Sequence, residues 1–555
     1  MADMATLVEP LTVSADAIPS GISMLDRTAK TKPSRFGRAL FLLALIGSLS
    51  YIVFHVAADL RTVSIPSIWP YMLLGLALLI ALGFEFVNGF HDTANAVATV
   101  IYTHSLRPNV AVVLSGFCNL AGVLTSTGTV AFAIITLLPV ELILQVSSGA
   151  GFAMVFALLI AAILWNLGTW WLGLPASSSH TMVGSIMGVG IANQLLNVRS
   201  GTSGVDWEQA TKVLKALIVS PIVGFAAAAL LMLLFQLAIW TLQSYGSAKF
   251  LALNEAPKGN QPPPFAIRAL MILTCSGVSF FHGSNDGQKG MGLIMLILIG
   301  TVPTAYALNH AVTASDFQAF IDASQQAGKI LDRHVDPQGV LGEDARTEVT
   351  DYIRTKNLQP DTILALRELV EDVNHEVALY KAFQSVPAQD QANVRNDMYV
   401  ASEAIRLLQK NGNPHFTPAE NLALTSYKSK VDKATKFIPD WVKVAVALAL
   451  GLGTMVGWKR VVVTVGEKIG KEQLTYAQGA SAGLVAMGTI FAANTWSMPV
   501  STTHILSSGV AGTMTANGSG LHFSTVRNIL AGWVFTLPAA AVLSGLLYWL
   551  FRAIS

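Results

Sequence analysis

Four short stretches carry polar residues in a pattern that an apolar chain would not repeat by chance. Residues 175–188 read PASSSHTMVGSIMG and residues 499–512 read PVSTTHILSSGVAG. They match at Pro175 and Pro499, Ser177 and Ser501, Ser178 and Thr502, Ser179 and Thr503, His180 and His504, and Gly188 and Gly512, at an offset of 324. Residues 86–96 read FVNGFHDTANA and residues 280–290 read FFHGSNDGQKG, matching at Phe86 and Phe280, Gly89 and Gly283, and Asp92 and Asp286, at an offset of 194. The chain is therefore an internal duplication, and the two offsets differ by 130 residues of extra material inside the second copy.

Each Pro-containing stretch offers consecutive hydroxyls, Ser177, Ser178 and Ser179 (with Thr181 following) and Ser501, Thr502 and Thr503. A helix beginning at such a point presents unpaired backbone N–H groups and a partial positive charge, which suits a dehydrated oxyanion. One copy alone reads as ordinary N-capping; two matching copies, each with a histidine, favour an anion site facing two such tips. Asp92 and Asp286 lie inside apolar runs, where a carboxylate is costly and marks function by default. A carboxylate and an anion repel strongly in a low-dielectric cavity. Something positive must sit between them: a proton, Na⁺ or a metal carried with the anion. Asp92, Asn95, Asn285 and Asp286 supply oxygens for a hard cation. The copies differ where Asn95 is matched by Lys289, three residues after Asp286. An ammonium has no acceptor, so Lys289 pairs with Asp286, takes the cation's place or touches the anion. His91, His180, His282 and His504 serve proton handling or tip packing, and Glu85, two turns before Asp92, is a candidate proton site. No structural metal site or cofactor is expected.

These residues need a membrane scaffold to hold them. The chain has 555 residues, 52% hydrophobic and 12% charged, with mean hydropathy +0.53. Several apolar runs exceed the ~20 residues that span a bilayer. Net charge +2 gives no sign of a nucleic-acid partner. Cys118 and Cys275 lie in apolar runs and read as small buried hydrophobes. The expected class is an all-α polytopic membrane protein of two inverted repeats with broken helices and two re-entrant hairpins, plus a soluble helical insert.

Residues 1–38 read as a cytoplasmic tail without a cleaved signal, and 39–58 as an extra span. Repeat one covers 70–243: a helix over 71–103 broken at NGFHD, a span at 108–136, a hairpin of 148–172 and 176–195 joined at PASSS, and a span at 214–243. A connector occupies 244–268. Repeat two covers 269–305 and 441–555: a helix over 269–302 broken at HGSND, a span at 441–458, a hairpin of 475–496 and 500–515, and a span at 525–551. The charged block 306–440 is the insert. Three crossings per repeat invert the second copy. The positive-inside rule puts the N-terminus, Arg107, 244–268 and 459–471 in the cytoplasm, and the loop at Glu141, the insert and the C-terminus outside. Arg199, Lys212 and Arg552 depart from that pattern. Inverted repeats with interrupted helices point to a secondary transporter with a midplane site.

At these residues the chain resembles the inorganic phosphate transporter (Pit) family. NGFHDTANAVATVIYT and HGSNDGQKGMGL look like its two signatures, and PASSSHT and PVSTTH like its paired tips. The HDTANA and NDGQKG forms and the large insert look most like the bacterial low-affinity branch. The resemblance covers nearly all of 70–555. It implies that Asp92, Asn95, Asp286, Ser178, Ser179, Thr502 and Thr503 line the substrate and ion path, and that phosphate moves with H⁺ as a neutral complex with a divalent metal such as Mg²⁺. Na⁺-coupled relatives keep an N-D-x-x-N element in both copies; Lys289 departs from it, and His91 stands where many relatives have Asn.

The expectation is a non-enzymatic phosphate symporter of the cytoplasmic (inner) membrane, working by alternating access, possible as a homodimer. Sulfate or another tetrahedral anion fits the same residues. An intramembrane Ser–His–Asp hydrolase fits poorly. Ser179 and His180 are neighbours whose side chains diverge on a helix, and the serine lacks a nucleophile-elbow context. A third reading makes the insert a sensor or partner-binding domain.

Overall fold

The computed structural model describes residues 25, 35–61, 69–138, 143–144, 149–197, 205–244, 253–257, 261–342 and 344–554, the side chains at 69–70, 93–95 and 242–244 excepted. The tail before residue 35 apart from Leu25, the loop at Glu141, Arg199 and residues 245–252 and 258–260 of the connector lie outside the described residues. So does the side chain of Asn95.

The described residues are helical, without a named strand. In order they form α1 (Arg35–Leu60), α2 (Trp69–Tyr102), α3 (Pro108–Leu124), α4 (Thr129–Ile135), α5 (Gly149–Trp171), α6 (Ser178–Leu196), α7 (Trp207–Ser244) and α8 (Phe265–Thr301). Five helices of the charged block follow: α9 (Ala314–Asp332), α10 (Ala345–Thr355), α11 (Thr362–Tyr380), α12 (Gln391–Asn411) and α13 (Pro418–Thr435). The chain then returns to apolar helices: α14 (Asp440–Thr454), the short α15 (Lys459–Val463), α16 (Tyr476–Thr495), α17 (Thr502–Ala516) and α18 (Phe523–Ile554). Among the described residues six helices, α1, α2, α5, α7, α8 and α18, are long and apolar enough to cross a membrane, or up to eight spans if each bent pair counts as one. Large apolar side chains stay exposed along them, such as Leu43 and Phe54 on α1, Leu234 and Trp240 on α7, and Val534 and Trp549 on α18. That exposure suits a lipid solvent and not water.

The two copies pack crosswise. Hairpin arm α6 lies on α18 of the other copy, and its counterpart α17 lies on α7; α8 packs on α3, and α14 on α2. Glycines set these approaches. A Cβ on Gly188 would meet the Ala541 carbonyl oxygen, and one on Gly512 the Phe225 carbonyl oxygen. The matched phenylalanines behave alike: Gly122 lies against the Phe280 carbonyl, and Gly453 against the Phe86 carbonyl.

Two expectations about helix breaks are corrected here. Helices α2 and α8 run unbroken through NGFHD and HGSND. Gly89 and Gly283 serve close approach: a Cβ would strike the Leu450 carbonyl at Gly89 and the Asn119 carbonyl at Gly283. An α-helix accommodates a glycine at modest cost, so a conspicuous glycine does not by itself break one. The expected span 108–136 is a bent pair, α3 and α4, at 78°, apolar enough together to count as one broken span. Gly128 there has φ +83°, a conformation glycine adopts without steric penalty.

The α9–α13 unit has its own apolar core, including Phe317, Phe320, Leu366, Met398, Ile405 and Tyr427. Its base is closed where the Asn309 N–H donates to the Ala434 carbonyl at 2.8 Å. The C-terminal end of α1 is tied there too. Asp59 accepts from the Tyr306 hydroxyl and, at 3.1 Å, from the Trp441 indole.

Candidate functional site

Both hairpins end in a Pro-initiated helix start, and the first hydroxyl of each is a cap. Ser177 Oγ accepts the His180 N–H at 3.2 Å, and Ser501 Oγ accepts the His504 N–H at 3.1 Å. Capping commits those side chains and leaves the next two residues on the first helical turn, facing inward. The capping explanation therefore holds for the first serine of each tip and not for the two residues after it.

Those next residues converge on the buried carboxylates of α2 and α8. Asp92 accepts from the Ser178 hydroxyl of one tip through one oxygen, and from the Thr503 hydroxyl of the other through its second, at 2.7 Å. Ser178 also reaches Asp286 at 3.4 Å. The tips touch each other where Ser179 Oγ donates to the Val500 carbonyl at 2.9 Å. From α8, the Lys289 ammonium pairs with Asp286 at 2.8 Å, donates to Ser179, and lies 3.5 Å from the Val500 carbonyl. Asp92, Asp286 and Lys289 are all buried. Thr502 is also buried, and its hydroxyl has no hydrogen-bond partner among the described residues.

Histidine 282 completes the cluster. Its Nδ1 lies 2.8 Å from Asn119 Oδ1, and the Asn119 amide donates to Thr454 at 3.1 Å, which orients that oxygen. The Nδ1 proton is thereby spoken for. Nε2 faces Asp92 at 4.0 Å and Asp286 at 3.8 Å, without a hydrogen bond. Ligand atoms of Asp92, His282 and Asp286 lie within 4.8 Å of one another. Two carboxylate oxygens and an imidazole nitrogen around one point suit a proton on Nε2, or a cation of the Na⁺ or Mg²⁺ kind held with further oxygens. A cavity of about 10 Å³ lies among Asp92, Asn119, Ser279, His282 and Thr502. That is about one water's worth of space, too little for a four-oxygen anion.

The remaining sequence candidates hold the frame. His91 Nδ1 contacts Asp92 at 3.0 Å, and its Nε2 contacts Thr169 of the first hairpin at 3.2 Å. Asn285, at the matching position on α8, donates to Asn494 at 2.6 Å and to the Met498 carbonyl at 3.1 Å, both in the second hairpin. Thr181 bonds Asn166 at 2.9 Å on the facing arm and points away from the carboxylates. His180 and His504 lie 4.5 Å apart between ring centroids, and His504 stacks on Trp533 at 4.0 Å. The Trp533 indole donates to the Pro175 carbonyl at 2.9 Å, so these histidines pack the tips. Among the described residues the His180 Nδ1 has no hydrogen-bond partner. Glu85 is buried against Gly290, with the Asn88 amide at 3.5 Å, one step removed from the central cluster. Asn119, Thr169, Thr454 and Asn494 were not anticipated. The signal available was a lone amide or hydroxyl inside an apolar run, as in SGFCNL.

A family model described as "Phosphate transporter family" matches residues 88–544. The chain belongs to the phosphate transporter family. It is 43% identical over 492 residues to the low-affinity inorganic phosphate transporter PitA of Escherichia coli K12, covering 86% of this chain and 96% of that one. It is 41% identical over 498 residues to PitB of the same organism, covering 87% and 97%. A probable low-affinity inorganic phosphate transporter of Bacillus subtilis is 27% identical over 480 residues, covering 86% and 97%. Among solved structures, "The sodium-dependent phosphate transporter" aligns with TM-score 0.47 at 18% identity, over 87% of this chain and 100% of that one. The relatives are transporters and not enzymes, which removes the hydrolase reading.

Proposed function

We propose that this member of the phosphate transporter family imports inorganic phosphate across the cytoplasmic membrane as a symporter with H⁺. The anion would leave as a neutral unit with a divalent metal such as Mg²⁺. The observation that carries this reading is the convergence of hydroxyls from both tips on Asp92, inside the Asp92–His282–Asp286 cluster. In the present arrangement Asp92 accepts hydrogen bonds from the Ser178 and Thr503 hydroxyls. A proton or metal on the cluster weakens that demand and lets the same hydroxyls turn to phosphate oxygens, so cation and anion bind together. The confined central space supports a cycle in which the tips part for the anion and reclose, from opposite faces in turn. The inverted arrangement, the re-entrant depth of the hairpins and the outward position of the α9–α13 unit belong to this proposal.

The test is uptake of labelled phosphate into membrane vesicles under an imposed pH or Na⁺ gradient, with and without Mg²⁺. A pH gradient should drive wild-type uptake without Na⁺. Asp92→Asn and Asp286→Asn should each reduce uptake about tenfold or more, roughly 1.4 kcal/mol. Wild-type rates in both variants would end the assignment of the site. Drive by Na⁺ alone would move the reading to a Na⁺-coupled symporter, and stronger competition by sulfate than by phosphate would change the substrate.

A further inference from the structure

A second polar concavity lies between the α9–α13 unit and the transport core, with a volume of about 580 Å³. Five cations line it, Lys212 from α7 and Arg406, Lys428, Lys433 and Lys436 from the insert, against three carboxylates, Asp206, Glu403 and Asp432. Asp432 is shared by Lys428 at 3.0 Å and Lys436 at 2.8 Å, so one ammonium charge there is not offset. Lys433 takes its partner, Asp316, at 2.7 Å. Burial works against the Arg406 charge, but the Glu403 carboxylate beside it more than compensates and holds its pKa above the usual arginine value.

The floor of this cleft leads to the tips. Thr127 and Thr129 line it, and Thr129 accepts a hydrogen bond from Ser497 at 2.9 Å. Ser497 lies three residues before Val500, whose carbonyl meets Ser179 and Lys289. The next residue, Val130, donates its N–H to Gln288 at 2.9 Å, the neighbour of Lys289 in sequence. The cleft and the central cluster are thus linked through two hydrogen bonds and the short backbone segments 497–500 and 288–289.

We propose that this cleft is a recruiting site for the free phosphate anion, an antechamber built by the insert above the second hairpin tip. The inference rests on the phosphate-import reading above. A concave surface of one prevailing sign raises the local concentration of the opposite ion and its rate of arrival. The charge selects the free divalent anion, because a preformed neutral metal–phosphate pair feels no net force. This gives the insert a role in substrate capture, with no part in the transport step itself.

Lys433→Gln combined with Lys436→Gln removes two positive charges and leaves Lys428 on Asp432. At low ionic strength, KM for labelled phosphate should rise about three- to tenfold with Vmax unchanged. The difference should close near 0.5 M salt, where charges are screened within a few ångströms. Lys433→Arg with Lys436→Arg should keep the wild-type KM. An unchanged KM in the glutamine variant at low salt, a fall in Vmax with KM unaltered, or failure of the arginine variant to match wild type would each overturn the proposal. A wild-type protein that moves no phosphate would instead remove the reading on which it rests.

Discussion

Lys289 is where the two copies part company, and the difference is one of charge. At the matching position copy one has Asn95, a neutral amide; copy two has an ammonium within 2.8 Å of Asp286. Asp286 thus has a lysine of its own helix as ion-pair partner, whereas Asp92 is surrounded by hydroxyls and imidazoles. A buried ion pair that loses one member leaves an uncompensated charge, at a cost of about 3–5 kcal/mol. Lys289→Asn makes copy two resemble copy one and opens a place for a mobile cation beside Asp286. Uptake by this variant without Na⁺ should fall at least about tenfold, and added Na⁺ should restore a substantial part. Equal uptake with and without Na⁺ in the variant would show that the ammonium does not stand in for an ion. The ammonium also bonds Ser179 and lies near Val500, so the variant should lose some coupling between the tips as well.

At the scale of helices, small residues decide where backbones meet. Gly188 and Gly512 occupy matching places on α6 and α17, each against a carbonyl of the long helix of the other copy. Adding a methyl to such a contact forces a backbone shift worth about 1–3 kcal/mol. Gly188→Ala and Gly512→Ala should each lower the melting temperature of the detergent-purified protein, by similar amounts. Gly75→Ala and Gly168→Ala, with nothing within 4 Å of the added carbon, should leave it unchanged or raise it slightly. If all four variants melt alike, close approach is not what these glycines provide. The same contrast explains what could be read in advance. Helix positions follow from apolar runs, and the observed ends differ from the expected ones by a few residues. The tips follow from a Pro-hydroxyl pattern that occurs twice. The glycines in NGFHD and HGSND misled, because a sequence shows that a glycine is present but not whether the chain bends there or another helix presses on it. The roles of Asn119, Thr169 and Asn494 were equally hidden. Each becomes meaningful only when a partner from a distant helix arrives.

For the molecule as a whole, the central question is whether the tips must separate. They are joined by the Ser179–Val500 bond, the Lys289 ammonium and the contact of the His180 ring with His504, which stacks on Trp533. The space beside them is about that of one water, so the proposed passage of phosphate between the tips requires these contacts to open. His180 and His504 touch neither carboxylate, and their ring centroids lie 4.5 Å apart, which makes them suitable anchors for a reversible lock. With Cys118 and Cys275 first replaced by alanine, His180→Cys and His504→Cys together should transport phosphate when reduced. A short disulfide-forming crosslinker should then stop uptake, and a reductant should return it, while each single variant remains indifferent to the reagent. Crosslinked protein that keeps transporting at its reduced rate would mean that the anion passes beside the tips and not between them. The hydroxyls on Asp92 would then be a structural tie, and the search for the substrate path would move away from the meeting of the two copies.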